Sequence, residues 1–197
     1  MKNRNALIII AKYPANGAVK TRINGLSDEQ RVDLYSRLLN DTMAKLSSIP
    51  GIDTFIAYAP DDTGYYFSRY NAGLIPLSEG DLGNRMYQAF QDTFKKGYEK
   101  ISLVGADIPD LTSVIINESY NELTVHDIVF GPAIDGGYYL IGMKKLIAEV
   151  FTDVPWSADK TLEISIKNAK QAGYSIGFTY ELSDVDTYED AQRHGLI

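Results

Sequence analysis

The 197-residue sequence contains no cysteine, which excludes disulfides, thiolate metal sites and cysteine nucleophiles. Its two histidines, His126 and His194, stand alone; they are given no role and are expected at the surface or at helix ends. No apolar run reaches the roughly 18 residues of a membrane span, and no charged leader with an apolar stretch and a cleavable end is visible. The expectation is a soluble, cytoplasmic protein. Cations are also scarce: 19 Lys and Arg against 26 Asp and Glu give a formal charge of −7. That balance argues against nucleic acid as the main partner, because phosphate backbones select basic surfaces. An anionic ligand must therefore be met by a local basic cluster. With 45% hydrophobic residues the chain can build a substantial core, and its length fits one domain over residues 1–197.

What is present alternates between strand and helix signals. Residues 6–11 are a continuous apolar run centred on three isoleucines, as expected of a central parallel strand covered on both faces. Residues 12–22 carry three cations, a proline and a glycine without apolar period, and read as a loop. Ser27 and Gln30 predict a capping box for a helix whose stripe is Val32, Tyr35, Leu38, Leu39, Met43 and Leu46. Residues 52–59 read as a second strand closed by turn residues. A short helix within 65–70 and a brief strand over 74–77 follow. Asp81 is expected to cap a helix that ends at Gly97. Residues 101–107 form an apolar strand that ends on a carboxylate, with Pro109 making the exit abrupt. Further on, helix is expected over 112–123, 144–151 and 159–171, and strand over 127–131, 138–142 and 174–179; a last helix starts within 184–190. This order predicts an α/β fold with a mainly parallel sheet flanked on both faces, partly antiparallel around the Asp135 turn.

Five features carry chemistry. The loop 12–22 is the only concentration of cations, and it leaves the first strand. It is either a solvated surface loop or a wrap for a di- or triphosphate, with Gly17 allowing close approach and Lys20 and Arg22 giving charge-assisted bonds. It is not a P-loop, since no glycine precedes Lys20-Thr21 in the Walker manner. Asp107, at a strand's carboxyl end, is either a turn former or a ligand-holding carboxylate at the sheet edge where α/β proteins bind. Asp184 and Asp186, after the last strand, can meet it there around Mg²⁺ or Mn²⁺, which take one or two protein carboxylates and complete their shell with water and phosphate oxygens. The alternative is that one of them caps the last helix. In Asp135-Gly136-Gly137-Tyr138 the glycines either allow positive φ or bring a general base, Asp135, to a substrate walled by Tyr138 or Trp156. Arg85 is either another phosphate contact or an ordinary exposed arginine.

Five stretches together resemble one family: Ala11-Lys-Tyr-Pro with Gly17-Ala-Val-Lys-Thr-Arg22, Asp81-Leu-Gly-Asn-Arg-Met86, Gly105-Ala-Asp-Ile-Pro109, Gly131-Pro-Ala-Ile-Asp-Gly-Gly-Tyr-Tyr-Leu-Ile-Gly142, and Asp184-Val-Asp-Thr-Tyr-Glu-Asp190. They are similar, in order and spacing over nearly the whole chain, to the bacterial glycosyltransferase-like family DUF2064 of the GT-A nucleotide-diphospho-sugar transferase superfamily. The resemblance implies a three-layer α/β/α fold and a nucleotide cradled by Lys12, Gly17, Lys20 and Arg22, with Ala11, Arg85 and Ala106 among its contacts. It implies a divalent cation on Asp107, with Asp186 as its second ligand, and says little of the acceptor; the reading of the residues themselves places Asp135 in catalysis and the acceptor against Gly136, Gly137, Tyr138 and Trp156. Tyr188 departs from the family, which has proline after the threonine. The expected activity is glycosyl transfer from a nucleotide-diphospho-sugar to a small acceptor. Its rivals are nucleotidyl transfer with release of pyrophosphate and a non-catalytic nucleotide-binding module.

Overall fold

The computed structural model describes residues 4–77, 79–156 and 158–197. The described residues form one sheet of seven strands: β1 (Asn5–Lys12), β2 (Ile52–Ala59), β3 (Gly73–Pro76), β4 (Lys100–Gly105), β5 (Ile128–Pro132), β6 (Tyr138–Met143) and β7 (Ile176–Phe178), in the order β3-β2-β1-β4-β6-β5-β7. Neighbours in this order run parallel except where β6 pairs antiparallel with β4 and β5. The strand order changes direction between β1 and β4, the position where open α/β sheets leave a crevice at their carboxyl ends.

The unbroken apolar run in β1 has a physical reason in the two faces it serves. Leu7 and Ile9 enter a core with Tyr35, Leu39 and Met43 of α1 (Asp28–Leu46) and Ile116, Tyr120 and Leu123 of α4 (Ser113–Val125). Ala6 and Ile8 point the other way, into a core with Met86, Ala89 and Phe90 of α3 (Leu82–Lys95) and Ala169 of α5 (Thr161–Gln171). The result is three layers, and alternate residues of one strand supply both interfaces. A third cluster joins Ile23 of the first loop, Leu34 and Leu38 of α1, Val185 and Ala191, and so ties the front loop and the end of the chain to one helix.

Local signals explain most boundaries. Ser27 and Gln30 form the capping box of α1, Asp81 accepts from Asn84 N–H to cap α3, and Gly97, with φ +90°, follows the last turn where a left-handed residue terminates a helix without strain. The short helix α2 spans Gly64–Phe67. His126 and His194 follow the last turns of α4 and α6 (Tyr188–Arg193). Two expectations change. Within 144–151 only a 3₁₀ turn forms, Ala148–Phe151: Lys144 N–H still pairs with Asp127 O (3.3 Å) and Ile147 is extended (φ −113°, ψ 93°), so too few residues remain for an α-helix. The last helix is capped by Thr187 and Asp190 in a reciprocal box, not by Asp184 or Asp186, which leaves both of those carboxylates to other partners. Tyr188 takes the first helical position favoured by proline, where an N–H has no helical partner in any case. Among the described residues no helix is long and apolar enough to cross a membrane.

Candidate functional site

Where β1 and β4 end side by side, a cleft of about 470 Å³ opens, within the range of small-molecule sites. Asp107 stands at its floor, just beyond β4, and α1 fixes the turn that carries it. Thr42 Oγ1 donates to Ala106 O (3.2 Å) and Lys45 Nζ to Pro109 O (2.7 Å). The returning tail reaches the same point. Leu182 N–H donates to Pro132 O and Val185 N–H to Asp107 O (3.1 and 3.2 Å), while the fully buried Val185 side chain anchors the strap to the third cluster. Residues at alternating positions of an extended segment project together, so burying Val185 turns Asp184 and Asp186 toward the cleft, which both line.

One cation joins these carboxylates. Lys20 Nζ donates to Asp107 Oδ2 (2.6 Å), to Val185 O (2.6 Å) and to Asp186 Oδ1 (3.4 Å), and its side chain is only 5% exposed. Arg22 adds a contact to Asp186 Oδ2 at 3.3 Å. Burial opposes the charge on Lys20, but Asp107, then Asp186 and Asp184, outweigh it and hold the amine above the ordinary lysine pKa. Asp184 is left with the opposite problem. Burial first, and then the charges of Asp186, Asp107 and Asp135, push its carboxyl up to about 6, which marks the concentration of negative charge at this edge.

The donor set fits a hard divalent cation. Carboxylate oxygens from β4 and from the strap converge on one cationic centre, a main-chain carbonyl adds a third oxygen, and such ions take one or two protein carboxylates with other oxygens completing the shell. Among the described residues no group of three or more His, Cys, Asp or Glu forms a ready-made cage, so the balance of such a shell would come from water and a phosphate-bearing ligand.

The far side of the cleft is aromatic. Trp156 meets the Tyr138 ring edge-on (6.4 Å, 81°), and Tyr138 packs on Phe130 at 5.2 Å. The first turn of α3 passes beneath the indole because Gly83 has no side chain; a Cβ there would collide with the Trp156 ring. From the same turn Arg85 faces the cleft, with its buried Nε lacking a hydrogen-bond partner among the described residues. Asp135 lies at the rim, its Oδ1 accepting from Gly137 N–H at 2.9 Å.

The cleft therefore gathers Lys12, Lys20, Arg22, Arg85, Ala106, Asp107, Asp135, Gly137, Tyr138, Trp156 and Asp186 along its lining, but not Ala11, Gly17 or Gly136. Ala11 is a core residue, 3% exposed. Gly17, at φ +71°, faces open space. Gly136 sits at φ +87° where a side chain would strike the main chain of Asp159, so the close approach of the segment before α5 accounts for it. The sequence does not mark as site residues Tyr35, whose hydroxyl accepts from Lys12 N–H (2.9 Å), or Leu77, Leu82 and Met86, which complete the apolar wall. Their spacing is that of core residues, and only the neighbouring Gly83-Asn84-Arg85 hinted at an unusual helix start.

Comparison with known proteins gives this geometry its context. A 2-phospho-L-lactate guanylyltransferase of Methanocaldococcus vulcanius is 29% identical over 140 residues, which are 70% of this chain and 61% of that protein. The chain thus spans less than two thirds of that curated relative. A candidate nucleotide-diphospho-sugar transferase from Desulfovibrio desulfuricans G20 superposes with a TM-score of 0.88 at 29% identity, covering 94% of this chain and 84% of that one. The fold is also shared with Mycobacterium tuberculosis Rv0371c, solved in complex with manganese, at a TM-score of 0.58 and 12% identity, covering 98% of each chain. The architecture is the GT-A-like α/β fold. Residues 42–158 match the family described as uncharacterized protein conserved in bacteria, and since this is more than half of its length, the chain belongs to that family, DUF2064.

Proposed function

We propose that the protein is a transferase acting on a nucleotide-activated donor, with Mg²⁺ or Mn²⁺ as cofactor and a small molecule as acceptor. The observation that carries this reading is the meeting of Lys20 with Asp107 and Asp186 at the switch point of the sheet, flanked by Arg22 and Arg85. A hard cation held by Asp107 and Asp186 would offset the charge of the donor phosphates; the manganese bound by Rv0371c supports the choice of ion. Lys20 and Arg22 stabilise the charge that grows on the leaving group, and Arg85 contacts the nucleotide. Tyr138 and Trp156 orient the acceptor, whose entry expels water from the aromatic wall. Asp135, with Oδ1 fixed by Gly137, takes the proton of the attacking acceptor hydroxyl through its other oxygen.

Two transfers fit this arrangement. Glycosyl transfer is supported by the Desulfovibrio protein's assignment as a nucleotide-diphospho-sugar transferase, and nucleotidyl transfer by the guanylyltransferase relative. The leaving group separates them. Nucleotide sugars and nucleoside triphosphates are incubated with the protein and Mn²⁺, and products and melting temperatures are recorded. In separate incubations, a nucleoside diphosphate released from a nucleotide sugar supports glycosyl transfer, and pyrophosphate released from a nucleoside triphosphate supports nucleotidyl transfer. A melting temperature unmoved by every nucleotide overturns both, because a ligand that binds only the folded state must raise it.

A further inference from the structure

Lys20 does more than lie near the carboxylates: it stands where a cation bridging them would stand. Its Nζ contacts three oxygens, two at 2.6 Å and one at 3.4 Å. Two of those contacts are the carboxylates assigned to the divalent ion. A metal ion with ligand distances of roughly 2.0–2.6 Å cannot take the same oxygens while the ammonium remains between them, because the two positive charges would be forced together. The backbone around Lys20 suits a side chain with more than one resting place. Val19 and Ile23 are 3% and 0% exposed and pin the loop on either side, whereas Lys20 itself adopts the left-handed φ of 50°, uncommon for a residue with a Cβ. Pinned flanks keep the Nζ within the cleft; they do not require it to stay on Asp107.

We propose that Lys20 is a built-in occupant of the divalent-cation position, and that a metal ion binds Asp107 and Asp186 only as the Lys20 ammonium leaves them. The inference rests on the transferase reading for one corollary: the displaced ammonium finds its new partner on the donor phosphates in the same cleft. Metal ion and nucleotide then favour each other's binding, each by the same factor, although neither need touch the other's protein ligands. Before loading, the ammonium spares Asp107 and Asp186 the cost of facing each other as like charges.

The test uses the whole chain and Mn²⁺ alone, with free Mn²⁺ read by its electron paramagnetic resonance. If the ammonium is away from the carboxylates no more than about a tenth of the time, Lys20→Met tightens Mn²⁺ binding about tenfold or more. An unchanged or weaker affinity in a variant whose circular dichroism matches the parent overturns the proposal. So does retention of the parent's Mn²⁺ affinity in Asp107→Asn, since the ion would then lie elsewhere. A measurement on the unaltered protein guards against a misfolded variant: reductive methylation followed by peptide mass spectrometry should find Lys20 protected without Mn²⁺ and reactive with it, and equal protection in both conditions overturns the proposal. Adding GDP or UDP to the titration addresses the transferase reading separately. Tighter Mn²⁺ binding in Lys20→Met, with Mn²⁺ affinity of the unaltered protein unmoved by either nucleotide, leaves Lys20 as the occupant and removes its phosphate corollary.

Discussion

Asp107 and Asp186 meet the same ammonium, yet the chain holds them there by different means. Asp107 follows β4, a strand paired on both sides with β1 and β6, and its turn is bonded to α1 through Thr42 and Lys45. Asp186 lies on an irregular strap outside the strands, held by an isolated bridge, Ala133 to Leu182, by the Val185 N–H bond to Asp107 O, by the burial of Val185 and by side-chain contacts from Lys20 to Val185 O and from Lys20 and Arg22 to Asp186. The first arm is expected to share the stability of the sheet, and the second, with fewer main-chain bonds, to open at a lower cost. If the strap opens more readily than the sheet, substitutions in it should alter ion binding more than substitutions of equal size in β1.

The comparison breaks most visibly in the sheet. Ile9, fully buried in the middle of β1, should cost about 4 kcal/mol when replaced by alanine, read from urea denaturation as a lower midpoint at unchanged slope. A loss below about 1 kcal/mol would show that the parallel half is not the rigid arm. Next in size is Asp107→Asn, which retains the shape of the fixed arm and removes its charge; turnover should fall about 100-fold. Val185→Ala tests the second arm. It should cost about 2 kcal/mol of stability and weaken Mn²⁺ binding as well, whereas Ile9→Ala should leave the Mn²⁺ affinity of the folded fraction unchanged. Equal effects of both on Mn²⁺ would erase the distinction.

The smallest effect belongs to the cap beyond the strap. Thr187→Ala should cost about 1 kcal/mol near neutral pH. Burial works against the Asp190 carboxylate, but hydrogen bonds from the Thr187 hydroxyl and from the Thr187 and Asp186 N–H groups prevail and hold its pKa below the ordinary value. A group with a lowered folded pKa contributes stability above its unfolded value, about pH 3.9, and loses it as the pH falls through the folded value. The penalty of Thr187→Ala should therefore shrink in melts at pH 3 relative to pH 7. A penalty that grows at pH 3 contradicts this sign.

The same division decides what the sequence made legible. β2 was readable to the residue, and the box of Ser27 with Gln30 was readable as a helix start, because each is written in neighbouring residues: an apolar run between turns, a hydroxyl three places before an amide. Lys20 and Asp107 are 87 positions apart, and no periodicity links them; only the rule that α/β sheets bind at their carboxyl edge brought them to one place. The strap was read with its alternatives open. Asp184, Asp186 and Thr187 all favour helix caps, and nothing local says that burial of Val185 turns the two carboxylates away and leaves the cap to the threonine. The aromatic wall was half legible: Tyr138 and Trp156 stood out as side chains, but the matching absence of a side chain at Gly83 acquires meaning only once α3 passes beneath the indole.

Trp156 is the chain's single tryptophan, and its indole lines the cleft. Intrinsic emission excited at long ultraviolet wavelength therefore comes from one known place, without labels and without background from a second fluorophore of its kind. A ligand that settles against the indole changes that emission in real time, so the molecule carries its own optical gauge of occupancy, and stopped-flow mixing could time arrivals and departures directly.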